Sequence, residues 1–269
     1  MVANNGNNKG LFSGAIMESG SPIPLSEVQT RWFDFLANAT NCSTAADRLD
    51  CLRKVPDEIL MDRINQSPHI FSYEALNLPW TPMVDGKFLV QDPFIAVQQG
   101  KYTKIPFITG DDEDEGTRLL VSVFGYGSLN VTTEALFLAY IKSTLLPDAT
   151  QDQLRDIVQA YPEDPAQIKR LAAFHGHFYF QAPRRFFLQT ASKTQSTYAY
   201  RYLRGATSPG LGSYHGADTS EFFRTKNPDY AVMDSAVFFT SHQDPNAPKS
   251  SISLLANITW PKWTWMNLD

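Results

Sequence analysis

The chain has 269 residues, 43% hydrophobic and 19% charged, a globular balance with enough apolar side chains for a sizeable core. A net charge of −5 and a pI near 5.5 argue against nucleic acid as a partner, because nucleic-acid binders carry a basic excess. No apolar run approaches the roughly 18–20 residues that span a bilayer as a helix.

The opening residues, MVANNGNNKG, have neither the basic start nor the apolar stretch of a signal peptide. Other features point outside the cell. Sequons of the form Asn-x-Ser/Thr fall at Asn38, Asn41, Asn65, Asn130 and Asn257, where chance would supply about one or two. That excess suggests a secreted glycoprotein, and a secreted chain without a signal implies a beginning that lies upstream of Met1.

Along the chain, LFSGAIMES predicts a buried strand, and GSPIP breaks it. From Ser26, as N-cap, a helix is predicted with Val28, Trp32, Phe35 and Leu36 on one face. Cys42 and Cys51 enclose eight residues, read as one short helix closed by a disulfide; the sequons favour a bridge over two reduced buried thiols. After Pro56 comes another short helix, then extended chain with a turn at Asp85-Gly86. KIPFITG is a candidate buried strand ending at Gly110. The stretch 132–187 is mostly helical, with breaks at LLPDAT and YPEDPA. TYAYRYL predicts a strand that alternates sides, followed by the loop GATSPGLGSYHG and a helix start at DTSEFF. Three or four strands separated by long helical segments indicate an α/β arrangement with a mostly parallel sheet.

Five histidines occur, at positions 69, 175, 177, 215 and 242. His215 lies in a glycine-flanked loop after a strand, either an exposed loop residue or one of the catalytic groups that collect there in parallel sheets. His175 and His177 form an H-x-H in a helical aromatic stretch, which turns them to different sides and argues against a shared metal. GDDEDEGT, at 110–117, sets five carboxylates between two glycines. Its spacing does not fit an EF-hand, and adjacent carboxylates cannot all converge on one ion. The first four are expected to be solvated and to repel one another outward. Glu115, pinched before Gly116, is expected to turn into the fold, where an imidazole N–H would hold its charge.

GLFSGAIMESGSP, the Cys42–Cys51 loop ending in C-L-R, PMVDGKFL, DEGT, SYHGADTSEFF, DPN and WPKWT stand in the order found in one family. The sequence resembles the carboxylesterase type B, or cholinesterase-like, family, within it the fungal extracellular esterases and lipases. The resemblance covers essentially the whole chain. It implies an α/β-hydrolase fold, a disulfide between Cys42 and Cys51, Glu115 as the acid and His215 as the general base of a Ser-Glu-His triad. Ser19 matches a serine that supports the triad without touching substrate; a structural hydroxyl in a tight turn is the alternative. The reaction implied is hydrolysis of carboxylic esters or acylglycerols outside the cell, with no metal or other cofactor.

No G-x-S-x-G elbow occurs in these residues, and Glu18-Ser19-Gly20 lacks the frame of a nucleophile. In the family the elbow serine lies just upstream of a segment like ANNGNNKGLF. Residues 1–269 are therefore expected to be the C-terminal portion of a single α/β-hydrolase domain, with no separate second domain. The nucleophile and oxyanion hole would come from an N-terminal half that activity requires. The alternatives are a non-catalytic cholinesterase-like binding module, a degenerate paralogue, or an unrelated secreted lectin-like domain.

Overall fold

The computed structural model describes residues 1–23, 28–70, 72–73, 78–118, 131–161, 167–207, 209–222 and 236–240. Among these residues four strands form one sheet: β1 (Ala15–Glu18), β2 (Phe107–Asp112), β3 (Thr197–Tyr202) and β4 (Ala236–Thr240), side by side in that order. The first three run parallel and β4 pairs antiparallel with β3. In sequence the helices are α1 (Val28–Ala39), α2 (Arg48–Leu52), α3 (Asp57–Ile64), α4 (Pro93–Gln98), α5 (Glu134–Thr144), α6 (Gln151–Ala160), α7 (Gln167–Gly176), α8 (Ala182–Ala191) and α9 (Thr219–Phe222). Ser26, the expected cap of α1, lies outside the described residues, as do DPN and WPKWT. None of the helices among the described residues is long and apolar enough to cross a membrane.

Local chemistry sets the helix starts. Asp92 accepts from Phe94 N–H and Ile95 N–H, with Pro93 inside the first turn of α4. Thr133 caps α5 through Leu136 N–H, and Thr150 with Gln153 forms a capping box at α6. The LLPDAT break separates α5 from α6; most of YPEDPA lies outside the described residues. Between α7 and α8 the helix widens into a π turn at His177–Gln181, which the helical periodicity did not announce.

Among the described residues the apolar side chains gather in three clusters. Phe137, Ile141, Leu154 and Phe174 join α5, α6 and α7. Val97, Tyr102, Phe107 and Phe187 pack α4 and α8 on the sheet, with the Phe107 and Phe187 rings stacked 4.9 Å apart. Leu36, Ala37, Cys42 and Leu52 make a small cluster around the disulfide. Here α1 is rotated from the expected face: Phe33, Leu36 and Ala37 point inward, while Trp32 and Phe35 meet edge to face. The ring of Phe33 lies under Arg48, which pairs with Asp34, so contacts from α2 choose the inward side. The strand expected to be buried at the start of the chain is instead half-open. Ile16 of β1 is 60% exposed, because β2 alone borders β1 among the described strands.

Candidate active site

Parallel sheets place their chemistry beyond the carboxyl ends of the strands, and the groups of interest lie there. The strand β2 runs two residues past Gly110, through Asp111 and Asp112. A turn at Glu113 and Asp114 follows, and residues 115–118 form a helical turn. Gly116 is required at this point: a Cβ there would sit 1.9 Å from the carbonyl oxygen of Ala172 in α7. Its absence lets α7 close over Glu115, which is 1% exposed.

The Glu115 carboxylate receives three donors. Oε2 meets Nδ1 of His215 at 2.6 Å, and Oε1 accepts from Ser19 Oγ at 2.5 Å and from Asp112 N–H at 2.8 Å. Such donors hold a buried charge that would otherwise be costly. Ser19 follows β1, with φ of 49° and its N–H on the Gly110 carbonyl, so its hydroxyl turns towards Glu115. His215 belongs to the loop after β3, which is zipped to the β2 turn. Asp114 N–H donates to the Ser213 carbonyl at 2.9 Å, and Ser213 N–H donates to Asp114 Oδ2 at 2.8 Å. The Phe180 ring, carried by the π turn, lies 4.9 Å from the His215 ring. About a third of the His215 side chain remains open to solvent.

The expectation that the first four carboxylates form a solvated turn is overturned. Asp111 and Asp112 are 1% and 0% exposed, and Glu113 and Asp114 are only partly exposed. Strand β2 lies between β1 and β3, and structure from both sides covers its end. Asp111 binds Arg184 of α8 and Glu113 binds Arg201 of β3. Asp112 Oδ2 accepts from Gly216 N–H at 2.9 Å. Burial pushes the Asp111 carboxyl up to about 6 against the pull of Arg184. It pushes Asp112 up to about 9, with the carboxyls of Asp218 and Glu115 adding to the effect. Asp218, itself raised mainly by burial, accepts the hydroxyl of Tyr200 at 2.7 Å. Asp112, Asp218 and Tyr200 were not singled out from the sequence. A charged run reads as solvated until the elements that cover it are known.

The two helical histidines have separate surroundings. His175 is fully buried between the rings of Tyr140 and Tyr179, and burial pushes its imidazole down to about 3. His177 Nδ1 lies 2.7 Å from the Tyr161 hydroxyl. No group of His, Cys, Asp and Glu suited to a metal occurs among the described residues. Cys42 and Cys51 are joined by a disulfide with a Cα–Cα distance of 5.7 Å. Asn38, Asn41 and Asn65 are exposed, while Asn130 and Asn257 lie outside the described residues, as does His242.

A parallel sheet with flanking helices, carrying a buried acid on one post-strand turn and a histidine on the next, defines the α/β-hydrolase class. The model of the carboxylesterase family matches residues 2–246. The chain belongs to that family. It is 34% identical to Secreted lipase 1 of Botryotinia fuckeliana (strain B05.10), over 95% of this chain and 47% of the relative. To Lipase 4 of Diutina rugosa it is 32% identical, over 96% of this chain and 48% of the relative. The crystal structure of EstA from Aspergillus niger superposes with a TM-score of 0.68 at 25% identity, covering 87% of this chain and 47% of that one. The chain thus spans about half the length of the curated relatives it matches.

Proposed function

We propose that these residues are the C-terminal portion of a secreted carboxylic-ester hydrolase of the carboxylesterase or lipase type, and that they supply its acid, Glu115, and its base, His215. The observation that carries the reading is the 2.6 Å contact between Glu115 Oε2 and His215 Nδ1. A carboxylate can only accept, so Nδ1 carries the proton, and in a neutral ring that leaves the lone pair on Nε2. In the proposed reaction Nε2 takes the proton of a serine hydroxyl as it attacks the ester carbonyl, then returns it to the leaving alcohol. Glu115 stabilises the imidazolium formed in between, and Ser19 and Asp112 N–H hold that carboxylate in place. A binding module would have no use for such a pair.

The serine and the oxyanion donors belong, on this reading, to an N-terminal half of the same single domain. The open side of β1 and the exposed Leu11 and Ile16 suit a sheet that continues in that direction. The disulfide and the exposed sequons at Asn38, Asn41 and Asn65 suit an extracellular glycoprotein. The names of the relatives point to esters or acylglycerols as substrates.

The test joins residues 1–269 to the nucleophile-bearing half of a secreted lipase relative and follows hydrolysis of a short p-nitrophenyl ester. Glu115→Gln and His215→Ala should each slow turnover by about 10⁴-fold with little change in melting temperature. Parental rates in either variant would overturn the assignment. Expressed without that half, the chain should associate or unfold, and a cooperative soluble monomer would count against the need for it.

A further inference from the structure

One residue at the end of β2 bonds both to Glu115 and to the turn that carries His215. The Asp112 amide N–H donates to Glu115 Oε1, and its side-chain Oδ2 accepts from Gly216 N–H, one residue beyond His215. Gly216 has φ of 83°, so the chain turns sharply after the histidine and presents that amide to Asp112. We propose that Asp112 is a positioning residue, clipping the His215 turn to the end of β2 while its backbone holds Glu115. The proposal rests on reading Glu115 and His215 as the acid and base of an ester hydrolase.

The charges around the clip explain how it works beside a base. Glu115 and Asp112 face the site from β2 and the turn after it, and Asp218 faces it from the His215 turn. Glu18 at the end of β1 acts on Asp218, Tyr200 of β3 donates to it, and Arg118 Nη1 donates to the His215 carbonyl. Three carboxyls in one buried space favour a proton on at least one of them. Burial and the neighbouring carboxyls make Asp112 the holder, since its carboxyl is pushed up to about 9. Among the described residues the Oδ1 atoms of Asp112 and Asp218 are buried with no hydrogen-bond partner, and a protonated Asp112 removes one negative charge from between them. A neutral Asp112 carboxyl still accepts from Gly216 N–H.

The protein completed with its nucleophile-bearing half is labelled with ¹⁵N-histidine, and the downfield Nδ1–H resonance of His215 is followed in the parent and in Asp112→Asn and Asp112→Leu. His215→Gln assigns the signal. The asparagine amide keeps an uncharged acceptor of the same size, so the resonance should be retained. Leucine fills the space with no acceptor, and the resonance should be lost while the other histidine signals persist. Asp112→Ala gives the same comparison with a smaller side chain should the leucine variant not fold. Retention of the signal in a folded leucine or alanine variant overturns the proposal, and so does its loss in Asp112→Asn. The readout needs no turnover, so the clip can fail while the hydrolase reading stands, and failure of ester hydrolysis leaves the signal unchanged.

Discussion

At the end of β2 five consecutive carboxylates are held by an imidazole, two arginines, the Ser19 hydroxyl and backbone amides, and Asp111, Asp112 and Glu115 are nearly sealed from water. The lobe formed by α1, α2 and α3 is built differently. Among the described residues its cluster comprises four buried residues, α3 contributes none of them, and the side chains of its ion pairs Arg48–Asp34 and Lys54–Asp50 are 40–73% exposed. Exposed pairs of that kind stabilise little, so the lobe depends on the Cys42–Cys51 link. The contrast teaches where charge can carry geometry. It does so where each group has its own donor and water is excluded, whereas near solvent a covalent bond takes that part.

The comparison is broken most severely by adding one methyl group. In the completed protein Gly116→Ala should abolish cooperative thermal unfolding, because the new Cβ would overlap the Ala172 carbonyl and push α7 off Glu115. A melting temperature within a few degrees of the parent would show that the corner is far more compliant than its packing implies. Asp111→Asn should cost about 3 kcal/mol at pH 7 by urea denaturation, since it leaves the largely buried Arg184 without its counter-charge. A cost near zero would place that pair with the surface bridges of the lobe.

Replacing both cysteines by serine should lower stability by about 2.5 kcal/mol, the loop-closure effect for a separation of 9 residues. Hydrogen exchange should localise the loss to α1–α3 and leave the end of β2 protected. A last test sharpens the contrast through pH. Asp112 is raised from an ordinary value of 3.8 to about 9, so between those limits the folded state holds a proton that the unfolded state releases. Stability from this group is complete below about pH 4 and declines as pH rises towards 9, by up to about 1.4 kcal/mol per unit. Asp112→Asn should flatten that decline; an equal slope in parent and variant would place the proton elsewhere.

Much of this architecture was legible in the sequence because it follows local rules. β3, the α5–α6 break and α3 after Pro56 sit close to where alternation, turn residues and capping put them. Glu115 and His215 were legible through the motifs around them, DEGT and SYHGADTSEFF, which resemble one family. What was missed depends on distant partners. Asp111 read as solvated because Arg184, which covers it, lies 73 residues away, and Asp112 because Gly216 lies 104 residues away. The inward face of α1 was set by Arg48 from another helix, and the π turn left no trace in the spacing of its aromatics.

Ser19 carries a consequence for anyone engineering the proposed hydrolase. Its φ of 49° is a backbone region that glycine occupies freely and serine does not, at a cost of about 1 kcal/mol. Glycine would relax the chain but would remove the hydroxyl that reaches Glu115. A directed-evolution screen that rewards heat resistance alone would therefore be drawn to Ser19→Gly and away from a well-seated acid. Selection at this position has to read turnover and melting together.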